Sequence, residues 1–442
     1  MRRAGIIFAV IVVAFGAFSS MSASATVPGV NQRINLSYTG SQTLSGGGGI
    51  ISANGRMVVY SGASNTLPSG GYGVFTRNLD SGAVTRVNAS ASGAVANTGV
   101  TADNISGSGR YVLFHTTASN LIDGTTITSS VAQLYLKDTV NGATTLISQT
   151  PSGVMSNGTK NIAVGVSSDG RFVAFTTNAT NLSPDSTDGT PHLYMVDRVN
   201  NSLSIIDRKT DGTVAATSNT WWPKGAMSCD GSMIVFQHPS NLIVDDSTYQ
   251  SHLSIWLLDR RGNDERIANL SKIDNAAMSL PSISCNGDYI GFRSDATNID
   301  PSVSVPYSYH AYRPYVYDRV NGVYHFVAVT TSGVAVSTPI CGTAYDYDYR
   351  CVQVSDNGVA TFHATDSALT GNSGSQVYIR NINAGTTELI SRDGVGSPGN
   401  GDSSYPSISA DGRLVVYGSN ATNLVPGDTN GNADVFSSQT GY

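Results

Sequence analysis

A largely apolar run of four residues returns seven times along the chain: MVVY at Met57, YVLF at Tyr111, FVAF at Phe172, MIVF at Met233, YIGF at Tyr289, VATF at Val359 and LVVY at Leu414. Runs this short, rich in β-branched and aromatic residues, predict strands covered on both faces. Each follows one polar signal, [Ile/Val/Met]-Ser-x-[Asp/Asn/Ser]-Gly, which reads ISANG at Ile51, ISGSG at Ile105, VSSDG at Val166, MSCDG at Met227, ISCNG at Ile283, VSDNG at Val354 and ISADG at Ile408. An Asn-Gly or Asp-Gly pair between extended runs predicts a type I′ hairpin turn, with both central residues at positive φ. The glycines (Gly55, Gly109, Gly170, Gly231, Gly287, Gly358, Gly412) lie 54, 61, 61, 56, 71 and 54 residues apart. The repeat therefore takes precedence over every local reading.

Beyond the second strand each unit carries a polar pair and an aliphatic plug (Leu67, Leu121, Leu182, Leu242, Ile299, Leu369, Leu424). A third strand follows with an aromatic near its centre, as in LYLKD at Leu134 or IWLLD at Ile255, then a turn and a fourth strand such as TTLIS or TELIS. The unit is a four-stranded antiparallel meander. One such sheet cannot bury both of its faces, whereas neighbours in a ring cover each other. Only SSQTGY remains after Phe436, so the seventh unit lacks its fourth strand, and QRINLSYTG from Gln32 to Gly40 is placed to supply it. The pattern predicts an all-β fold: a seven-bladed β-propeller of four-stranded antiparallel blades, closed by an N-terminal strand pairing with the last blade. In the sixth unit the aromatic Phe362 comes one residue early, which shortens that turn or strand.

The repeat, ISxDGRxVVYxSxATNLVPGDTNGxxDVF in its last copy, resembles the WD-like repeat of TolB-type β-propellers of secreted bacterial proteins, over essentially the whole chain after its leader. The resemblance implies an extracytoplasmic propeller, commonly a protein-binding scaffold and sometimes a propeller joined to a hydrolase.

Residues 1–25 stand apart. Arg2 and Arg3, the run AGIIFAVIVVAFGAF and the small residues ASA at Ala23 to Ala25 have the form of a signal peptide. The expectation is a single propeller domain over 26–442, secreted or periplasmic in a bacterium, with no membrane span once the leader is removed. A net charge of −6 with 25 Lys and Arg leaves no electrostatic footprint for nucleic acid.

The candidate chemistry lies in loops. GDTNGNAD in the last unit alternates Asp428, Asn430, Asn432 and Asp434 around Gly431. Such alternation suits a hard cation such as Ca²⁺; the same residues also make an Asx-rich turn that satisfies its own backbone. Eight of the 21 tyrosines fall in two segments, 306–319 and 341–351. Tyr307, Tyr309, His310, Tyr312, Tyr345, Tyr347 and Tyr349, with Trp221 and Trp222, are the candidate ligand contacts. Their loops share one face of a propeller, where they either bind a protein or glycan or pack the loops down. Tyr315 and Tyr317 belong to a third strand. Two disulfides are expected: Cys341–Cys351 bracketing a tyrosine-rich loop, and Cys229–Cys285 at the same repeat position in adjacent blades. Neither a Gly-x-Ser-x-Gly elbow nor a His-Glu-x-x-His helix occurs in the sequence. His115 and His363, each after a second-strand aromatic, fit a structural slot. The sequence thus points to a non-enzymatic binding scaffold; the alternatives are a polysaccharide lyase or hydrolase centred over the ring axis, and a self-assembling surface protein.

Overall fold

The structure is a computed structural model. It describes residues 29–442 apart from 38, 44–46, 63–65, 68–69, 187, 218–221, 245–252, 262–265, 271–276, 297, 305–311, 337–349, 366–368 and 370–373. The leader expected over 1–25 lies outside the described residues. Seven sheets, each of four antiparallel strands, follow one another along the chain. The third is typical, with strands Asn161–Val166, Phe172–Thr177, His192–Asp197 and Ser202–Ile205. The long interval between Gly287 and Gly358 holds the fifth blade's strands Arg313–Asp318 and Val323–Phe326, with Tyr315 and Tyr317 in the former.

The period-two alternation of a strand explains why its apolar runs are continuous. In FVAF, Val173 and Phe175 pack with Leu113 and Leu134 of the second blade. Ala174, between them, packs with Phe236 and Trp256 of the fourth. Each blade is sandwiched, so both of its faces must be apolar. The second-strand aromatics lie directly opposite third-strand aromatics in all seven blades: Tyr60↔Phe75, Phe114↔Tyr135, Phe175↔Tyr194, Phe236↔Trp256, Phe292↔Tyr315, Phe362↔Tyr378 and Tyr417↔Phe436. Where these rings stack, as in Phe114–Tyr135 and Phe362–Tyr378, their centroids are 5.6 and 5.4 Å apart. Such aromatic pairs add about 0.5–1.5 kcal/mol each beyond burial.

The hairpin between first and second strands departs from the type I′ turn. Only the glycine is left-handed, with φ from 71° at Gly55 to 80° at Gly287; the Asn or Asp before it is not among the described residues of positive φ. The repeated serine gives the reason. In the third blade Ser167 Oγ donates to Asp169 at 2.6 Å and accepts the Phe172 N–H at 2.9 Å. Asp169 also accepts the Arg171 N–H at 2.9 Å. These bonds hold an Asx turn in which the acidic residue keeps ordinary φ, and glycine alone takes the conformation that a Cβ penalises. The sixth blade omits one residue: Ser355 Oγ accepts from Val359, four residues on, rather than five. Phe362 therefore comes early in sequence and still meets Tyr378.

The x residue of each turn meets the next blade around the axis. Asn54 N–H donates to Gly107 O, Ser168 to Cys229, Cys229 to Cys285, Asp356 to Ala410 and Ala410 to Ala53, at 2.7–3.0 Å. Ser108 Oγ donates to Ser168 O at 2.5 Å, and Asn286 N–H to the Asp356 carboxylate at 2.8 Å, completing the circuit. The expected Cys229–Cys285 disulfide is one covalent link of this ring, with Cα atoms 4.6 Å apart.

Closure follows the expected route. Asn31–Arg33 pairs antiparallel with Asp434–Gln439, matching Asn31 to Ser438 and Arg33 to Phe436, and forms the outer strand of the sheet holding Leu414–Ser419. Backbone bonds from Ile34 to Val435 O (2.7 Å) and from Gly29 to Gln439 O (2.8 Å) extend the join. Tyr417 donates its phenol to Asn31 at 2.6 Å.

Candidate ligand-binding mouth

An antiparallel meander sends its turns alternately to the two ends of the ring. The Ser-x-Asx-Gly hairpins occupy one end. The links between second and third strands, and from each blade to the next, occupy the other. Trp222 precedes Gly225–Met227, Tyr312 precedes Arg313–Asp318 and Arg350 precedes Gln353–Val354. All three belong to this second end. Trp221, Tyr307, Tyr309, His310, Tyr345, Tyr347 and Tyr349 lie outside the described residues. Cys351 is buried and disulfide-bonded; Cys341, the partner assigned to it from sequence, also lies outside them.

Three aromatic rings at this end each carry a cation. Lys160 Nζ lies 5.5 Å from the Trp222 ring centroid, the Arg293 guanidinium 4.5 Å from Tyr312, and the Arg350 guanidinium 5.3 Å from Tyr405. Lys224 joins the first two pairs. Burial and then the charges of Arg293 and Lys160 push its ammonium down to about 8, so the third, fourth and fifth blades bring their cations within electrostatic reach. Arg293 is buried and oriented by a bond from Nε to Ser279 Oγ at 3.0 Å. Arg350 donates to Gly49 O at 2.8 Å. That bond runs from the sixth blade to the segment entering the first, over the inner strand of the seventh, where Tyr405 lies.

Tyr405 is placed there by a deliberate irregularity. The inner strands of the fifth and seventh blades share the sequence Ser-[Leu/Tyr]-Pro-Ser and a bulge, between Ser279 and Ser282 and between Ser404 and Ser407. In each, a non-glycine residue is left-handed: Leu280 at φ 53° and Tyr405 at φ 56°. Leu280 is 3% exposed and packs inward, whereas Tyr405 is 40% exposed. A bulky residue on strained backbone needs surrounding structure to hold it, and such residues cluster at functional sites.

Two polar groups lie at the same end, the first half-buried and the second buried. His115 donates or accepts through Nδ1 at 2.8 and 2.9 Å from the two oxygens of Asp103, the extra residue of a bulge in the second blade. The bond raises the His115 pKa. Between the third and fourth blades, Asp207 Oδ2 lies 3.1 Å from His192 Nδ1 and 3.6 Å from His238 Nε2, all three buried. His238 Nδ1 accepts the Ser240 N–H at 3.1 Å, which leaves the proton on Nε2, facing Asp207. Burial alone would raise Asp207 and lower His192; their pairing reverses both directions. This network joins blades and suits the structural slot expected of strand-end histidines.

The acidic loop of the last blade faces a cation from its own chain. Arg33 lies 2.9 Å from Asp428 and 3.0 Å from Asp434, with every side chain of the trio almost inaccessible. Asn35 donates to Asp434 at 2.6 Å, Gln42 to Asp428 at 3.1 Å, and Asn430 to Thr43 O at 2.9 Å. Asn432 is exposed. Among the described residues no group of three or more His, Cys, Asp or Glu could hold a metal ion. A cavity of about 450 Å³ opens beside this loop, lined by Val30, Asp393, Val395, Val425 and Pro426. It lies beside the closing strand, against the link between the second and third strands of the last blade.

Lys160, Lys224, Arg293, Arg350 and Tyr405 escape a reading of the sequence because they come from five blades. One signal was present: Arg293 takes the place after the second-strand aromatic that His115 and His363 hold elsewhere.

No protein-family model matches the sequence, and no curated protein matches it. Among solved structures, prolyl endopeptidases match with a TM-score of 0.52 at 12% identity, covering 92% of this chain and 50% of theirs. The β-propeller domain of the Trilobed protease from Pyrococcus furiosus matches at 0.49 and 14% identity, covering 85% of this chain and 91% of that one. TolB from Acinetobacter baumannii matches at 0.41 and 13% identity, covering 76% of this chain and 64% of that one. The chain thus spans less than two thirds of TolB and half of the endopeptidases. These likenesses are of fold.

Proposed function

We propose that this TolB-like propeller is an extracytoplasmic binding scaffold that takes a glycan or protein segment across the axial mouth bearing Trp222, Tyr312 and Tyr405. Tyr405 is the observation that carries the reading. Its bulge is shared with a blade whose equivalent residue is buried, so an exposed ring there is not a demand of the repeat. Aromatic side chains supply large rigid contact area at small entropic cost, with a polar tip for specificity. The Cys229–Cys285 bond supports an oxidising compartment, in keeping with the leader-like first 25 residues. Among the described residues no helix is long and apolar enough to cross a membrane.

Binding of the full chain to arrays of glycans and envelope proteins tests the proposal. The Trp222→Ala/Tyr312→Ala/Tyr405→Ala variant is expected to lose about 30-fold or more in affinity, the scale of a hot-spot cluster. Undiminished binding by a variant that melts like the parent would overturn it.

A further inference from the structure

We infer that the buried seam between the third and fourth blades is a proton-operated tether: charged His192 holds the Asp188–Thr190 turn to the ring, and neutral His192 lets it go. The inference goes beyond the binding reading and does not depend on it.

Its first ground is that the repeat does not ask for charge here. His192, Gln133 and Gln376 open the third strands of their blades, and Asp207, Ser148 and Ser391 each lie two residues past the fourth. In the second and sixth blades this slot holds a neutral pair, Ser148 donating to Gln133 and Ser391 to Gln376, both at 2.6 Å. In the third it holds His192 and Asp207, with Nδ1 3.1 Å from the carboxylate. The facing blade departs from the repeat at the same seam. Hydroxyls that end second strands, such as Thr116, Thr177 and Ser419, accept the N–H two residues on. His238 takes that place in the fourth blade, accepts the Ser240 N–H through Nδ1, and turns Nε2 toward Asp207 at 3.6 Å. Two imidazoles from two blades thus meet one buried carboxylate where neutral groups serve elsewhere.

The second ground is the count of protons on His192. The Asp207 carboxylate only accepts, so Nδ1 carries a proton. Nε2 lies 3.2 Å from Thr190 Oγ1, and that hydroxyl donates its one proton to Asp188 at 2.9 Å. Thr190 Oγ1 can therefore only accept from His192, so Nε2 carries a proton too and the ring is an imidazolium. Asp188 faces it at 3.9 Å. Neutralisation removes the Nε2 proton, because Asp207 keeps the other. Thr190 must then turn its hydroxyl to Nε2, and Asp188 loses both that bond and the facing charge.

The charged and titratable groups around His192 are Asp188, Asp207, Arg208 and, across the seam, His238. Arg208 opposes the charge and is itself paired with Asp185 at 2.5 Å. Burial also opposes it, but the Asp207 bond and the two carboxylate charges prevail and raise the His192 pKa above its ordinary 6.5. The tether is thus made at acid pH and lost as pH rises through that raised value.

The test follows the imidazole nitrogens of the full chain by NMR from about pH 5.5 to about pH 9, the range in which histidine titrates. Amide hydrogen exchange of the turn, referred to the intrinsic rate at each pH, is followed alongside. One histidine, absent from the His192→Gln/Asp207→Ser variant, is expected to carry both protons at the acid end and to lose that on Nε2 above pH 6.5. Protection of the Thr190 amide is expected to fall about 10-fold or more across the same transition, the scale of a lost charge-assisted bond. The double variant, which installs the neutral pair of the second and sixth blades, and Thr190→Val, which removes only the hydroxyl, should each leave the turn with one protection at every pH. A His192 ring neutral throughout would overturn the imidazolium. Turn protection that does not follow the ring, or that still follows it in Thr190→Val, would overturn the tether. Should the double variant fail to fold, the parent spectra and Thr190→Val decide alone.

Discussion

Replacing Arg33 with methionine tests how the ring is closed. The closing strand pairs over only three residues, Asn31–Arg33, so its ladder bonds alone hold it weakly. Arg33 adds a charge clamp to Asp428 and Asp434, at 2.9 and 3.0 Å, with side-chain exposures of 8%, 3% and 0%. Methionine keeps most of the volume and leaves two buried carboxylates without their cation. Removing one partner of a buried pair destabilises by about 3–5 kcal/mol. Arg33 Nε and its Asp434 partner oxygen lie within ion-pair range but lack hydrogen-bond alignment, which places the expected loss near the lower bound. With an unfolding entropy of ~2.1 cal/mol/K per residue, the 414 residues from Gly29 to Tyr442 convert about 3 kcal/mol into a melting-temperature drop of about 3–4 °C. Calorimetry of parent and variant reads this directly. Adding Asp434→Asn to the variant should recover much of the loss, because the Asn35 amide at 2.6 Å still finds an acceptor. The pH dependence has a definite sign. Burial raises the Asp434 pKa above its ordinary 3.8, opposed by the Asn35 bond and by Arg33. The folded chain therefore holds that proton more tightly than the unfolded chain, and ionisation costs stability as pH rises. Without Arg33 this cost grows, so the variant's deficit should shrink from pH 7 toward pH 4. A melting temperature within 1 °C of the parent at pH 7 would refute the clamp.

The Cys229–Cys285 bond closes a loop of 56 residues, so Cys229→Ser/Cys285→Ser should cost up to about 4 kcal/mol by chain entropy; alkylation of both thiols in the unreduced, denatured protein would disprove the bond. Burial, and then the charges of Arg293 and Lys160, hold Lys224 at about 8 rather than 10.5, so its protonation changes within an accessible pH range. The folded amine binds its proton less tightly than the unfolded one, so stability relative to Lys224→Met should rise between about pH 8 and 10.5, as melting curves of both proteins would show. An identical pH profile in the variant would show that Lys224 does not titrate in this range.

Much of the fold was legible because the repeat states its own constraints. Ser167, Asp169 and Gly170 each occupy the position their chemistry requires, and the run FVAF announces a strand with two apolar neighbours. The turn differs from the type I′ expectation because an Asn-Gly or Asp-Gly pair is compatible with two hairpins. The choice between them was made by the serine three residues before the glycine, whose hydroxyl captures the acidic side chain. Trp222 and Tyr312 were identified as candidate contacts from aromatic crowding alone, and nothing in their neighbourhood in the chain revealed the cations against their rings. In the acidic loop, nothing near Asp428 and Asp434 in the chain revealed that Arg33, some 400 residues away in sequence, pairs with both.

The sequence by itself determined the unit, the count of seven and the closing strand, since these follow from local patterning repeated along the chain. Tertiary structure alone decided which charges meet. Lys160, Lys224 and Arg293 are separated by 64 residues or more and come within electrostatic reach of one another only when the blades stand in a ring. Radial packing brings the same end of every inner strand to the axis, and no periodicity read along the chain encodes which side chains converge there.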